Sequence, residues 1–208
     1  MSSLYLVAEG QTDIQILERL LAPEIVSSTE LVAAGGSYGA QSLATTLLTL
    51  RSRPLALVVN ADTTSETTIQ ERVDLLRFLL RQAAGNVPYE VFVAVPEIEI
   101  VFLQERELFE RLMERSLSDL EWHLARLSPK ETIKNLTRPS VSVDDLLSRL
   151  TERELALLRQ HELIKRINDF LTTHVNWNQY PVADFDRTHV LAVAETGAHF
   201  QFDEENEQ

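Results

Sequence analysis

Three short apolar runs, each closing on an acidic turn, limit what this chain can fold into. Leu4-Tyr5-Leu6-Val7-Ala8 leads into Glu9-Gly10-Gln11-Thr12-Asp13, and Leu55-Ala56-Leu57-Val58-Val59 leads into Asn60-Ala61-Asp62. Tyr89-Glu90-Val91-Phe92-Val93-Ala94-Val95 leads into Pro96-Glu97-Ile98-Glu99. Apolar runs of about five residues that end at a turn read as strands buried on both faces. Open α/β sheets bind their ligands at the carboxyl ends of the strands. Glu9, Asp62, Glu97 and Glu99 are therefore expected on one rim of one sheet.

The segments between these runs carry helical spacing. Thr12 and Gln15 fit a capping box, and the helix they open runs to about Ala22, with Ile14, Leu17 and Leu21 on one face and Pro23 as its stop. Residues 31–34 read as a short strand, Gly35-Gly36-Ser37-Tyr38-Gly39 as a turn, and residues 40–50 as a second helix. A long third helix buries Ile69, Val73, Leu76 and Leu80 and closes at Gly85-Asn86. Strand and helix in alternation predict an α/β, Rossmann-like, mostly parallel four-stranded sheet flanked by helices. Beyond Glu99 the pattern turns helical. Val101, Phe102, Phe109, Leu112 and Met113 continue at helical spacing, and Ser118/Glu121, Ser128/Glu131 and Thr151/Glu154 repeat the capping-box signature. Pro129 falls at a first helical position, where its missing N–H costs nothing. The expected organisation is an α/β domain over 1–100, a helical extension over 101–180 and a C-terminal segment over 181–208. That last segment holds a late strand at 189–193 and an acidic tail at 202–208, and the best internal break is at 138–142.

Charge narrows the partners. The chain holds 32 acidic and 19 basic residues, for a net charge of −13. Such a surface repels nucleic acid and anionic membrane at long range, so a polyanion partner needs a local basic patch or bound cations. Arg72, Arg77 and Arg81 lie on the third helix. Arg126, Lys130 and Lys134 recur every fourth residue, a basic stripe if one helix runs through them. A solvated face paired with neighbouring glutamates is the more ordinary reading of both sets. Cysteine is absent, which excludes disulfides, thiolate metal sites and cysteine nucleophiles. His123, His161, His174, His189 and His199 show no metal-ligand spacing, and no serine stands in a nucleophile-elbow glycine pattern. Trp122 and Trp177 read as packing residues. No apolar run is long enough to span a bilayer. The first run follows only Met1-Ser2-Ser3 and reaches an acid at Glu9, unlike a secretory leader. A soluble cytoplasmic protein with no membrane partner is expected.

Carboxylates converging on one rim raise one another's pKa or recruit a cation. Hard divalent ions take oxygen ligands, often one or two carboxylates with waters and a substrate phosphate. Two such ions can clamp the attacking and leaving oxygens of a phosphodiester. A simpler account exists for some of these acids, since Asp13 is favourable near any helix N-terminus. Gly35, Gly36 and Ser37, ahead of a helix, could cradle a phosphate with backbone N–H groups, although the lysine of a P-loop is missing and a plain strand-to-helix turn explains them as well.

Ala8-Glu9-Gly10-Gln11-Thr12-Asp13 resembles the Glu-Gly-x-Thr-Asp motif of Toprim domains. These occur in topoisomerases, bacterial primases and the overcoming-lysogenization-defect and abortive-infection nucleases. Asn60-Ala61-Asp62 is similar to the Asp-x-Asp motif of that fold, and Pro96-Glu97-Ile98-Glu99 to an acidic motif of some phage-defence members. The resemblance covers about the first hundred residues and implies that the first and third strands lie side by side. It also implies Glu9 as catalytic acid/base or metal ligand, Asp62 as metal ligand, and Glu97 and Glu99 as completing the site. Asp13 would support it from behind, and Mg²⁺ or Mn²⁺ would be the cofactor. Position 60 departs from the pattern: an amide offers a metal only an uncharged carbonyl oxygen. The activity implied is Mg²⁺-dependent phosphodiester cleavage or transfer on nucleic acid, in phage defence. The alternative is a catalytically degenerate Toprim-like scaffold acting as a protein-interaction module, and a weaker third reading is a phosphate-ester or nucleotide hydrolase on the same rim.

Overall fold

Leu4–Ala8 forms β1, and every one of its five residues is buried. The computed structural model describes residues 4–137 and 142–177. The strand expected at 189–193, the tail at 202–208, His189, His199 and all but the last residue of the break at 138–142 lie outside the described residues. Three further strands complete the sheet: β2 (Thr29–Ala33), β3 (Leu55–Asn60) and β4 (Tyr89–Ala94). The sheet order is β2-β1-β3-β4, with every pairing parallel. β1 and β3 hold the centre, which is why their sequences are apolar without alternation.

Helices cover both faces. Tyr5, Val7, Leu55, Leu57, Val59 and Val91 point to one side, where they meet α3 (Ser37–Arg51) and α4 (Glu66–Ala84) through Ala40, Ala44, Leu48, Leu76 and Leu80. Leu4, Leu6, Ala8, Ala56, Val58 and Phe92 point to the other, in the alternation that a strand dictates. There they meet α1 (Gln11–Leu20), a 3₁₀ helix at Ile98–Leu103 and the later helices. Those later helices are α5 (Arg106–Met113), α6 (Asp119–Leu127), α7 (Pro129–Leu136), α8 (Val143–Ser148), α9 (Glu152–Leu158) and α10 (Glu162–His174). The expectation of an α/β sheet flanked by helices holds, with the sheet wholly parallel.

Several local expectations change. Pro23 does not merely stop α1; it opens α2 (Pro23–Ser28) as its first residue. Proline lacks the N–H that a helix interior needs but a first turn does not, so one residue ends one helix and starts the next. The capping box expected from Thr12 and Gln15 does not form; Asp13 instead bonds back to the backbone of Gly10, the residue before the helix. The helix starts at Gln11, and the Gly10 N–H donates to Asp13 Oδ2 at 2.7 Å. Gln15 instead donates across to Asp144 on α8 at 2.8 Å. The boxes at Ser118/Glu121 and Thr151/Glu154 form as read. Ser128 makes no side-chain cap. Its helix is capped from a distance, where Glu97 Oε2 accepts the Lys130 N–H at 2.9 Å. Ser128 also separates α6 from α7, so Arg126 and Lys130 sit on different helices and the basic stripe does not run along one.

The boundary expected near residue 100 falls inside one compact unit, Met1–Trp177. Strand residues Leu6, Val58 and Phe92 share a single apolar cluster with Phe102, Phe109, Leu155, Ile164 and Leu171. Phe92 and Phe170 meet edge to face at 5.9 Å. Among the described residues, no helix is long and apolar enough to cross a membrane.

At Gly39 a Cβ atom would stand 2.2 Å from the Ala34 carbonyl oxygen, whereas at Gly10 it would stand 3.6 Å from Asp13 Oδ2. Gly39→Ala is therefore expected to lower the unfolding free energy by about 1–3 kcal/mol in urea denaturation, the usual cost of overpacking. Gly10→Ala should stay within about 0.5 kcal/mol of the natural chain, as ordinary tolerated substitutions do.

Candidate functional site

The pairing of β1 with β3 sets Ala8 opposite Val58, so the residues just past each strand emerge side by side. The Asn60 N–H donates to Glu9 Oε1 at 3.3 Å. From α4, Arg72 reaches back over the ends of both strands. Its Nη2 donates to Glu9 Oε1 at 3.0 Å and to Ser37 Oγ at 2.6 Å. Its Nη1 donates to the carbonyl oxygen of Asn60 and to that of Ala61, the latter at 3.3 Å, and lies 3.9 Å from Asp62 Oδ2. Glu9 and Asp62 thus share one rim, with a guanidinium between them. The Glu9 side chain is largely buried and that of Asp62 is exposed. Asp62 adopts a positive φ of 54°, in the left-handed region that aspartate tolerates better than most residues. Its N–H donates to the Pro96 carbonyl at 2.9 Å and ties this turn to the one after β4.

Asn60 does different work from that expected of it. Its Oδ1 accepts the Ile98 N–H at 2.8 Å, and its side-chain amide favours the charged form of the Asp13 carboxylate. An amide carries both a donor and an acceptor, so it can satisfy a backbone N–H and a carboxylate together. An aspartate here would set a second negative charge against Asp13. The carbonyl expected to face a metal is therefore engaged elsewhere.

The acids after β4 also separate. Glu97 holds the N-terminus of α7 through the Lys130 N–H. Glu99 is 3% exposed, and its Oε2 has no hydrogen-bond partner. Burial pushes the Glu99 carboxyl up to about 7; its own N–H and Lys130 oppose that shift, and the charges of Asp13 and Glu97 reinforce it. Burial likewise raises Glu9 above the ordinary carboxylate value, against Arg72 and the Asn60 N–H, which favour the charged form. Asp13 is raised by burial too, against its bonds to Gly10 and Asn60.

A divalent ion does not fit these donors as arranged. Among the described residues, no three His, Asp or Glu side chains gather closely enough to hold a metal. Asn60 is occupied, and Arg72 stands between Glu9 and Asp62. At the glycine turn, Gly35 and Gly36 take φ values of 77° and 120°, which favour glycine. The Gly36 N–H donates to the Glu9 carbonyl at 2.7 Å, so one of the amides that could have met a phosphate is already bonded.

The residue that pattern reading leaves out of the site is Arg72. It lies ten positions beyond Asp62, on a helix where Arg77 makes an ordinary ion pair with Glu90 at 2.7 Å, and only the strand order singles it out.

A carboxyl whose folded-state pKa is raised holds its proton longer in the folded chain than in the unfolded one. Stability should then fall as pH rises from about 4.5 to about 7 and level off above that, with a total loss of about 3 kcal/mol attributable to Glu99. Glu99→Gln is expected to flatten this slope in urea denaturation across pH 4–8 and to leave the protein more stable than the natural chain at pH 8.

The sequence matches no protein-family model and no curated protein, so the likeness to Toprim domains rests on the motifs around Glu9 and Asp62.

Proposed function

We propose that the chain is a Toprim-like scaffold whose acidic rim is not a working metal centre and that it serves as a protein-interaction module. The observation that carries this reading is the bonding of Asn60, whose Oδ1 accepts the Ile98 N–H where the motif expects a charged metal ligand. The net charge of −13 also opposes a nucleic-acid substrate.

The helical half offers the docking face. Leu120, Leu124 and Leu127 recur at i, i+4 and i+7 and so line one stripe of α6. They are 67%, 52% and 45% exposed, while Ala125 and the Trp122 ring, packed 5.9 Å from Phe109, face inward. A helix apolar on its outer face as well as its inner one has a second surface to bury.

A second reading is Mg²⁺-dependent phosphodiester cleavage, favoured by the meeting of Glu9 and Asp62 on one guanidinium. Calorimetric titration with Mg²⁺ and Mn²⁺, run beside nicking assays on DNA and RNA, separates the two. The module reading expects no metal uptake and no cleavage by the natural chain. Metal-dependent cleavage that disappears in Glu9→Gln would establish the second reading instead. Leu120→Glu combined with Leu124→Glu should leave stability within about 0.5 kcal/mol, as surface changes do, and abolish co-purification of whichever protein the natural chain retains.

A further inference from the structure

We infer that the Arg72 guanidinium is the resident cation of the rim, held in an oxygen cage at the place where a Toprim-like site would carry a divalent ion. Five oxygens face it: Glu9 Oε1, Ser37 Oγ, the carbonyl oxygens of Asn60 and Ala61, and Asp62 Oδ2. Two carboxylates, two peptide carbonyls and a hydroxyl are the donor types that hard divalent cations select. Here they meet a planar fork of N–H donors, which matches several acceptors at once and keeps its charge at any physiological pH.

The cage is assembled from separate places in the chain. Glu9 comes from the end of β1, Ser37 from the first residue of α3, residues 60–62 from the end of β3, and the cation from α4. Three of the contributors have a further anchor. Gly36 bonds the Glu9 carbonyl, Asn60 bonds Ile98 and Asp62 bonds Pro96. The guanidinium closes a ring of contacts around the switch between β1 and β3, and it neutralises acids that would otherwise repel one another. It is a built-in counter-ion that a dissolved metal cannot displace without moving α4 or its side chain.

The inference rests on the reading that the rim is not a metal centre, and the test keeps the two apart. The probe is Mn²⁺ alone, observed by paramagnetic broadening of the Glu9, Gly10, Ala61 and Asp62 amide signals and by thermal unfolding. In the natural chain, Mn²⁺ should leave these amides sharp and Tm unchanged. Arg72→Met, which keeps side-chain length but not charge, should melt several degrees lower and should recover part of that loss in Mn²⁺, with broadening at the same four amides. Should Arg72→Met not fold, Arg72→Lys carries the stability arm, because one ammonium cannot reach five oxygens; it should melt below the natural chain. A variant as stable as the natural chain, with the natural chain still blind to Mn²⁺, overturns the inference and leaves the module reading standing. Broadening of the rim amides in the natural chain overturns both.

Discussion

The parallel pairing of β1 with β3 is the constraint on which the rim depends. It places two chain exits side by side, so that the side chain of Glu9, the peptide groups of 60–62 and the arm of Arg72 fall within hydrogen-bonding distance. Had β2 lain between them, Glu9 and Asp62 would stand about 10 Å apart at neighbouring-but-one strand positions, beyond the reach of one guanidinium. The strand order also buries Glu9 enough to raise its pKa, while leaving Asp62 in solvent.

Acids crowded at the ends of three strands need some source of positive potential or some loss of charge, and this rim shows each remedy. Arg72 supplies a cation to Glu9 and Asp62. Asn60 puts an uncharged amide beside Asp13 that favours its charged form, and the Gly10 N–H donates to that carboxylate. Glu97 turns to the N-terminus of α7, whose free N–H groups attract a carboxylate. Glu99 has neither partner nor solvent at one oxygen, and its carboxyl is shifted towards the neutral form. The Asn60 amide thus has a structural task of its own. It belongs to an arrangement in which backbone donors, an amide and a guanidinium do the neutralising.

The helical half is part of the same body as the sheet. Glu97 links the turn after β4 to α7, Arg159 just past α9 donates to the Leu20 carbonyl at 3.2 Å, and Asn168 on α10 accepts the Ala22 N–H at 3.3 Å. These bonds join positions more than a hundred residues apart in the last two cases and brace the face of the sheet opposite α3 and α4. The outer side of α6 takes no part in that bracing, and its leucines Leu120, Leu124 and Leu127 remain in solvent.

The sequence by itself determined the strands, their acidic ends and the helical character of the chain beyond residue 100. These are local signals, written in runs of five residues and in turns of three or four. β1, β3 and β4 all begin where their apolar runs begin, and the boxes at Ser118 and Thr151 form because both partners lie within one turn. Two local readings shifted: α1 starts just after Gly10 and not at Thr12, and Pro23 opens α2 as well as ending the helix before it. Only the tertiary structure decided what the acids do. The partners that matter are 63 residues apart for Arg72 and Glu9, 51 for Asn60 and Glu9 and 38 for Asn60 and Ile98. Nothing in the immediate neighbourhood of Arg72 distinguishes it from Arg77, and nothing beside Glu97 names α7 as the helix it caps. Those roles come from strand order and helix packing, because a side chain's charge is balanced by its nearest neighbours in space, and the packed fold sets which distant segments those are.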